Sequence, residues 1–522
     1  MKDSTLLLPN NSMKKGDLFL FGFILLKFVL QYLLIDPSYD LHRDEYLHLD
    51  QAHHLAWGYI SVPPVTSWFS YLIYLLGNTE FWVKFFPALF GALTITLIWK
   101  AIERLGGSLY AQSLAAICLI FSALARLNIL FQPNSFDILA WTFVFYSLLS
   151  YIKTGKNKWL YWLGVGVGFG FLNKYNIAFQ VLGLIPALFL TSDRKIFKNP
   201  NLYGAFGLAF LIALPNLIWQ LQNDFPVLWH MRMLSKYQLV NVNRLDFLTE
   251  QFFFFFGSSF VLILAFVSYF QHPSFRKYQV FFWTTIFTLA IFTFFRAKNY
   301  YAIGLYPIHF AFGAIYISHV LSKSWGKYLK PVAMIIPISL FVVSAPMTYP
   351  IGDPEYLKGV QSRHPDLMEN RWEDGEIHDL PQDFADMLGW KELAEKVDLA
   401  YSKAPSDEYT VIICDNYGQA GAINFYTKTK GLQAVTMNAD YVNWIDLSGE
   451  IKNVILVREV EDGISEREIS LFEKSEKIGS ITDPNAREFG TSIHLLLGAK
   501  TDINAILAAE IEEKRMELKT VN

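Results

Sequence analysis

Two adjacent carboxylates are the residues of this chain whose type and spacing best suit chemistry. Asp44 and Glu45 stand side by side in a polar stretch, residues 40–64, that follows an apolar run. Carboxylates at such a position could cap a helix, because helix N-termini attract negative charge. Asp44 could equally act as a general base that removes a proton from a hydroxyl. The spacing alone favours the cap, since cap signatures are common.

A third acid and several cations could serve the same chemistry. Asp137 lies at the start of a later apolar run, where a charge costs about 2.5–3.5 kcal/mol on insertion scales. We therefore expect it to have a partner or to face a water-filled cavity. The cations that could hold a phosphate are Arg43, Lys174, Arg296 and Lys298. Alternatively, such cations only reach towards lipid headgroups.

The elements that must position these residues are apolar runs. Of the 522 residues, 53% are hydrophobic and only 17% charged, against about a quarter charged in soluble domains. A bilayer core takes roughly 20 apolar residues in a helix, which predicts a mainly α, polytopic membrane bundle and excludes disorder. The roughly eleven predicted spans lie near 17–36, 83–102, 110–127, 135–152, 158–172, 176–191, 203–221, 251–270, 279–295, 300–320 and 330–347.

The net charge of −3 conceals two parts of opposite charge. Residues 351–522 carry 18 basic and 33 acidic groups, and the preceding residues carry 26 and 14. The loops on one side of the spans hold 16 basic residues and those on the other side hold eight, so the basic N-terminus with Lys2, Lys14 and Lys15 is predicted to be cytoplasmic. An odd number of spans then puts the acidic part and the candidate residues on the outer face.

This split predicts two domains: a membrane domain, 1–348, and an extracytoplasmic α/β domain, 349–522. In the second domain, the apolar runs predict strands near 409–414, 432–437, 454–457 and 492–497, with helices near 381–402, 419–426 and 502–518.

Five short motifs in chain order resemble a known family. They are Arg43-Asp-Glu-Tyr with the stretch up to Pro64, Gln132-Pro-Asn-Ser-Phe-Asp, Gly170-Phe-Leu-Asn-Lys-Tyr, Leu217-Ile-Trp-Gln with Asn223-Asp-Phe-Pro, and Lys298-Asn-Tyr-Tyr with Leu305-Tyr-Pro. Over residues 15–350, they resemble the bacterial branch of the dolichyl-phosphate-mannose protein mannosyltransferase superfamily, which includes the aminoarabinose transferases of lipid A. These proteins are C-type glycosyltransferases (GT-C).

The resemblance implies an inverting glycosyltransferase of the bacterial cytoplasmic membrane. It would move a hexosyl or pentosyl group from a polyprenyl-phosphate donor to an acceptor hydroxyl on lipid A, another glycolipid, a polysaccharide or a protein. It implies that Asp44 is the catalytic base, with Glu45 and Asp137 beside it. The donor-phosphate candidates are Lys298, Tyr301, Lys174, Arg43 and Arg296. Two departures alter the expected pocket: Val62 stands where the branch carries a Lys, and Gly304 where it often has Pro.

Other signals carry less weight. The spacing of His48, His53 and His54 does not match a zinc site, so no metal or other cofactor is predicted, although a divalent metal stays an open alternative. The glycine run 164–170 predicts close helix packing. Scattered basic residues argue against nucleic acid. The alternative to an enzyme is a transporter or lipid-handling protein, but transporters place ionisable groups near the bilayer midplane between repeated halves.

Overall fold

The computed structural model of the chain describes residues 15–237, 239–322, 324–364, 370–460 and 462–519. It consists of a large helical part followed by a smaller α/β part. Lys2, Lys14 and Lys323, which contributed to the predicted sidedness, lie outside the described residues.

The helical part is built from the predicted apolar runs, each of which coincides with at least one helix. Its α-helices are α1 (Lys15–Leu33), α2 (Arg43–Asp50), α3 (Val65–Leu75), α4 (Glu80–Leu105), α5 (Leu109–Ile120), α6 (Leu124–Asn128), α7 (Pro133–Thr154), α8 (Lys158–Asn173), α9 (Ile177–Leu190), α10 (Pro200–Gln222), α11 (Pro226–Tyr237), α12 (Arg244–Phe253), α13 (Ser259–Gln271), α14 (Gln279–Phe294), α15 (Pro307–Val320) and α16 (Lys330–Thr348). The predicted membrane helix bundle is thereby confirmed.

Helix length and composition give a lower count of spans than the apolar runs predict. By length and composition, five described helical segments could cross a membrane, or up to eight if each bent helix pair is one span. Helices such as α8 and α14 have 16 residues, about 24 Å of rise against a bilayer core of about 30 Å. The count of eleven spans therefore stays a prediction.

The glycine run of α8 lies where two helices come close to it. A methyl group on Gly164 would lie 2.4 Å from the Ala205 carbonyl oxygen of α10. One on Gly166 would lie 2.8 Å from the Phe143 ring of α7. These positions need glycine because backbones and rings occupy the space of a side chain, as expected of packed membrane helices.

The C-terminal part contains a five-stranded mixed sheet flanked by helices. Its elements are α17 (Pro354–Arg363), α18 (Gln382–Ala385), α19 (Trp390–Lys403), β1 (Tyr409–Cys414), α20 (Tyr417–Tyr426), β2 (Ala434–Thr436), β3 (Ile451–Arg458), α21 (Glu466–Ser470), β4 (Phe472–Ser480), β5 (Ser492–Ala499) and α22 (Ile503–Lys519). The strand order is β2-β1-β3-β5-β4; β1 pairs parallel with β2 and β3, and β5 pairs antiparallel with β3 and β4. The predicted small α/β domain is confirmed.

The C-terminal part packs on the polar stretch that follows α1. The Asp40 backbone N–H donates to the Met387 carbonyl (2.7 Å), and the Asp40 carboxylate accepts from the Trp390 backbone N–H (2.9 Å). Helix α20 lies close against α2, since a Cβ on Gly421 would be 2.6 Å from the Cβ of Tyr46. The sheet domain is thus fixed at the end of the bundle where the candidate residues lie.

Candidate active site

Helix α2 begins with a capping box that fixes the direction of its first turn. The His42 side chain accepts a hydrogen bond from the Asp44 backbone N–H (3.2 Å), and the Glu45 carboxylate accepts from the His42 backbone N–H (2.7 Å). The two bonds satisfy N–H groups that a helix start leaves without partners. The capping interpretation therefore holds for Glu45 and leaves the Asp44 carboxylate free for other contacts.

The Glu45 side chain is completely buried, and both of its carboxylate oxygens accept hydrogen bonds. Its carboxylate oxygens lie 2.7 and 2.9 Å from Nζ of Lys84 in α4, and one accepts from the Phe131 backbone N–H (2.7 Å). A buried carboxylate needs such a cation and such donors to offset its lost hydration. This geometry fits a residue that fixes α2 on the bundle and fits poorly the predicted catalytic role of Glu45.

Asp44 is half-buried and accepts hydrogen bonds from both parts of the protein. The Tyr417 hydroxyl donates to Oδ1 (2.7 Å), and the Gln132 side-chain amide donates to Oδ2 (3.3 Å). Burial alone would raise the pKa of Asp44, but His42, the Tyr417 hydrogen bond and Arg43 outweigh it and hold this pKa below its usual value. Asp44 is therefore ionised at neutral pH, which is the form that a general base requires.

A chain of hydrogen bonds leads from Asp44 to a cation. Gln132 accepts from the Asn134 amide (2.9 Å), and Asn134 accepts from Nζ of Lys174 (2.8 Å). The Lys174 ammonium also lies 4.2 Å from the ring centroid of Tyr301. Lys174 stands in the turn between α8 and α9, where burial lowers its pKa to about 8. An anion beside it would restore the charged form.

Asp137 joins the same network from inside α7. Its buried carboxylate accepts from the Trp141 indole N–H (2.9 Å) and from the Asn176 amide (3.0 Å). The same Asn176 amide donates to the Tyr301 carbonyl (2.8 Å). Asp137 thus has the partners expected for a charge at membrane depth.

The remaining predicted cations differ in their surroundings. The Lys298 ammonium has no hydrogen bond or ion pair within the described residues, and Asp44 and Lys174 lie within its electrostatic range. The Arg43 guanidinium lies 4.7 Å from the Tyr417 ring centroid. Arg296 instead donates to the Val240 carbonyl (2.8 Å), so the structure does not join Arg296 to the network.

Comparison with known proteins supports the family resemblance stated from the sequence. Residues 61–219 match the family model described as dolichyl-phosphate-mannose-protein mannosyltransferase. Lipid A galacturonosyltransferase RgtD of Rhizobium johnstonii is 27% identical over 249 residues, 46% of this chain and 51% of RgtD. The chain therefore spans about half the length of this relative.

Two crystal structures of ArnT from Cupriavidus metallidurans share the fold over almost the whole chain. The structure bound to undecaprenyl phosphate has a TM-score of 0.63 at 13% identity and covers 91% of this chain and 97% of ArnT. The apo structure has a TM-score of 0.62 at 12% identity and covers 92% and 98%. The chain therefore has the fold of ArnT, and its residues 61–219 resemble the mannosyltransferase family. The resemblance stated from the sequence is confirmed at this level.

In this candidate site, the residue that sequence reasoning missed is Tyr417. The Asn416 side chain caps the start of α20 by accepting from the Gln419 backbone N–H (3.0 Å). The hydroxyl of the next residue, Tyr417, donates a hydrogen bond to the Asp44 carboxylate. No local pattern marks this contact, because the two segments meet only through the docking of the C-terminal domain.

Two histidines just after α2 pack against aromatic rings. The His54 ring stacks on Trp444 at 4.3 Å between centroids, and His53 meets the edge of Tyr74 at 4.7 Å. Across the residues that the structure describes, no group of three His, Cys, Asp or Glu side chains is placed to hold a metal ion.

Proposed function

We propose that this protein is an inverting GT-C glycosyltransferase that moves a sugar from a polyprenyl phosphate to an acceptor hydroxyl, with Asp44 as the general base. The observation that carries the proposal is the hydrogen-bonded chain from the ionised Asp44 carboxylate to Lys174 at the Tyr301 ring. It brings a proton acceptor and a phosphate-binding cation into one network.

The chemistry needs only these two functions. The acceptor O–H gives its proton to Asp44 while its oxygen forms the new bond to the anomeric carbon. The bond from that carbon to the phosphate oxygen breaks, and its electron pair leaves with the polyprenyl phosphate. Lys174 and Lys298 stabilise the charge that develops on the leaving group. Attack opposite the leaving group inverts the anomeric carbon.

The relatives support both substrate classes. The name of RgtD gives lipid A as its acceptor, and the ArnT structure contains undecaprenyl phosphate. We therefore favour a polyprenyl-phosphate donor and an envelope glycolipid acceptor for this chain. A transporter, the alternative function, is not favoured, since the ionisable network lies at helix ends rather than at the midplane.

The proposed location is the cytoplasmic membrane, with the N-terminus inside and residues 349–522 outside. The helices that begin or end at the network carry basic residues at their other ends, such as Lys100 and Arg104 in α4 and Lys153 in α7. The positive-inside rule then puts the network on the outer face.

The proposal is tested by mass spectrometry of envelope lipids from a deletion strain. We expect the strain to lack one sugar-modified glycolipid, which the wild-type gene restores and Asp44→Asn does not. Asp36→Asn serves as the matched control, because Asp36 lies just before the same polar stretch. Among the described residues, its carboxylate accepts only from the Ser38 backbone N–H. Restoration by Asp44→Asn would contradict the proposal.

A further inference from the structure

A cavity of about 600 Å³ opens beside the network, at the ends of three membrane elements. It lies between the end of α5, the end of α16, the turn 253–257 and residues 371–384 of the C-terminal part. Its volume is within the range of ligand pockets. Asp44, Asp137, Lys174 and Tyr301 are not among the residues that line it.

The walls of this cavity differ in polarity. The side formed by the membrane helices is apolar and aromatic, with Phe121, Phe254, Phe256, Leu340, Phe341 and Met347. The side under the C-terminal part is charged, with Arg126, Arg371, Glu373 and Asp383. An amphipathic molecule standing in the outer leaflet matches this order, with its chain against the rings and its headgroup under the sheet domain.

Arg126 has an unused donor at the charged side. One guanidinium nitrogen, Nη2, donates to Asp383 (3.0 Å), and the guanidinium lies 5.3 Å from the Phe384 ring centroid. The other terminal nitrogen, Nη1, is buried and has no hydrogen-bond partner among the described residues. An unpaired buried donor is costly, and a phosphate oxygen would satisfy it with a charge-assisted bond.

The charged side of the cavity and Asp44 share Lys298 as a neighbouring cation. Lys298 lies within the electrostatic range of Glu373 and Asp383, which line the cavity, and equally of Asp44. The charged side of the cavity and Asp44 therefore both lie near Lys298, but the cavity does not contain the Lys174 and Tyr301 side chains proposed for the donor phosphate. A two-substrate transfer needs such a second place.

We propose that this cavity binds the acceptor, an anionic phospholipid-like glycolipid, with an acyl chain on the aromatic wall and a phosphate on Arg126. That this lipid is the acceptor rests on the proposed function, whereas the binding of an anionic lipid does not.

The test uses the full-length protein in detergent and native mass spectrometry. The probe is dodecanoyl lysophosphatidic acid, which has one acyl chain, one phosphate and one hydroxyl; farnesyl phosphate represents the donor lipid. Ser344→Trp fills the cavity, and Val343→Trp is the matched control, because Val343 is the preceding residue, is 68% exposed and does not line the cavity. Ser344→Trp should weaken lysophosphatidic acid binding by about tenfold or more, about 1.4 kcal/mol. Val343→Trp should not weaken it.

The headgroup is tested separately. Arg126→Gln should weaken binding of lysophosphatidic acid but not of monododecanoyl glycerol, which lacks the phosphate. Unchanged lysophosphatidic acid binding in both Ser344→Trp and Arg126→Gln would overturn the proposal. Loss of farnesyl phosphate binding in Ser344→Trp would also overturn it, by assigning the cavity to the donor.

Asp44→Asn separates this inference from the proposed function. The variant should bind lysophosphatidic acid like the wild type while transfer is lost. If Asp44→Asn instead keeps transfer, the proposed function fails, whereas the lipid-binding result stands on its own.

Discussion

Asp44 is held as a carboxylate by residues from both ends of the chain. His42 and Arg43 come from its own loop and helix, Gln132 from the loop before α7, and Tyr417 from α20. The ionised state of this one residue therefore depends on the folding of the whole chain.

Tyr417→Phe tests this directly. The change removes a hydrogen bond to the charged form of Asp44, so the pKa of Asp44 should rise, because burial is then less opposed. The folded pKa is depressed and the base must be ionised, so activity is present above this pKa and falls as the pH drops through it. The acid limb of kcat/KM should therefore shift to higher pH in the variant. An unchanged limb with reduced activity would mean that Tyr417 acts only in domain packing.

Lys174→Gln tests the donor-phosphate assignment. Loss of a charge-assisted bond of about 1.5–3 kcal/mol should raise the donor KM roughly tenfold or more. The acceptor KM should stay near the wild-type value. Lys195→Gln, an exposed lysine at the other end of α9, is the control, and equal donor KM values in the two variants would refute the assignment.

At the scale of elements, the capping box and the buried Glu45–Lys84 pair fix α2 on α4. Lys84→Met leaves the Glu45 carboxylate buried without its cation, which typically costs about 3–5 kcal/mol. The apparent melting temperature in detergent should fall clearly. The double variant Lys84→Met with Glu45→Gln should recover part of the loss. A double variant less stable than Lys84→Met alone would contradict this account of the pair.

Most elements could be predicted because their residue patterns are local. The apolar runs predict the membrane helices, and the buried runs predict β1, β2, β3 and β5. Strand β4 was missed, since Phe472–Ser480 is a polar edge strand with mainly exposed side chains, and such edges carry charges instead of an apolar run. The predicted helix 381–402 is divided at Gly389, whose φ of +84° ends one turn and starts another.

At the scale of the whole molecule, sidedness can be measured by cysteine labelling. Both native cysteines, Cys118 and Cys414, are buried, so the wild type should react little with an impermeant maleimide. In spheroplasts, Lys428→Cys in the sheet domain should be labelled, whereas Lys156→Cys, between α7 and α8, should react only after permeabilisation. The reverse pattern would invert the proposed orientation.

The candidate site was predictable only as far as its motifs reach. Asp44, Asp137, Lys174 and Tyr301 lie in motifs with family resemblance, and the structure joins them in one network. The sequence could not predict that Arg296 lies outside this network or that Tyr417 contacts Asp44. Both depend on how segments distant in the chain pack together.

The most direct test of the central claim is single-turnover transfer by purified Asp44→Asn protein with a polyprenyl-phosphate sugar and lipid A. We predict that the transfer rate falls by about 10²–10⁴-fold, as for loss of a general base, while donor affinity and folding stay close to those of the wild type and of Asp36→Asn. A transfer rate equal to that of the wild type would contradict the assignment of Asp44 as the base.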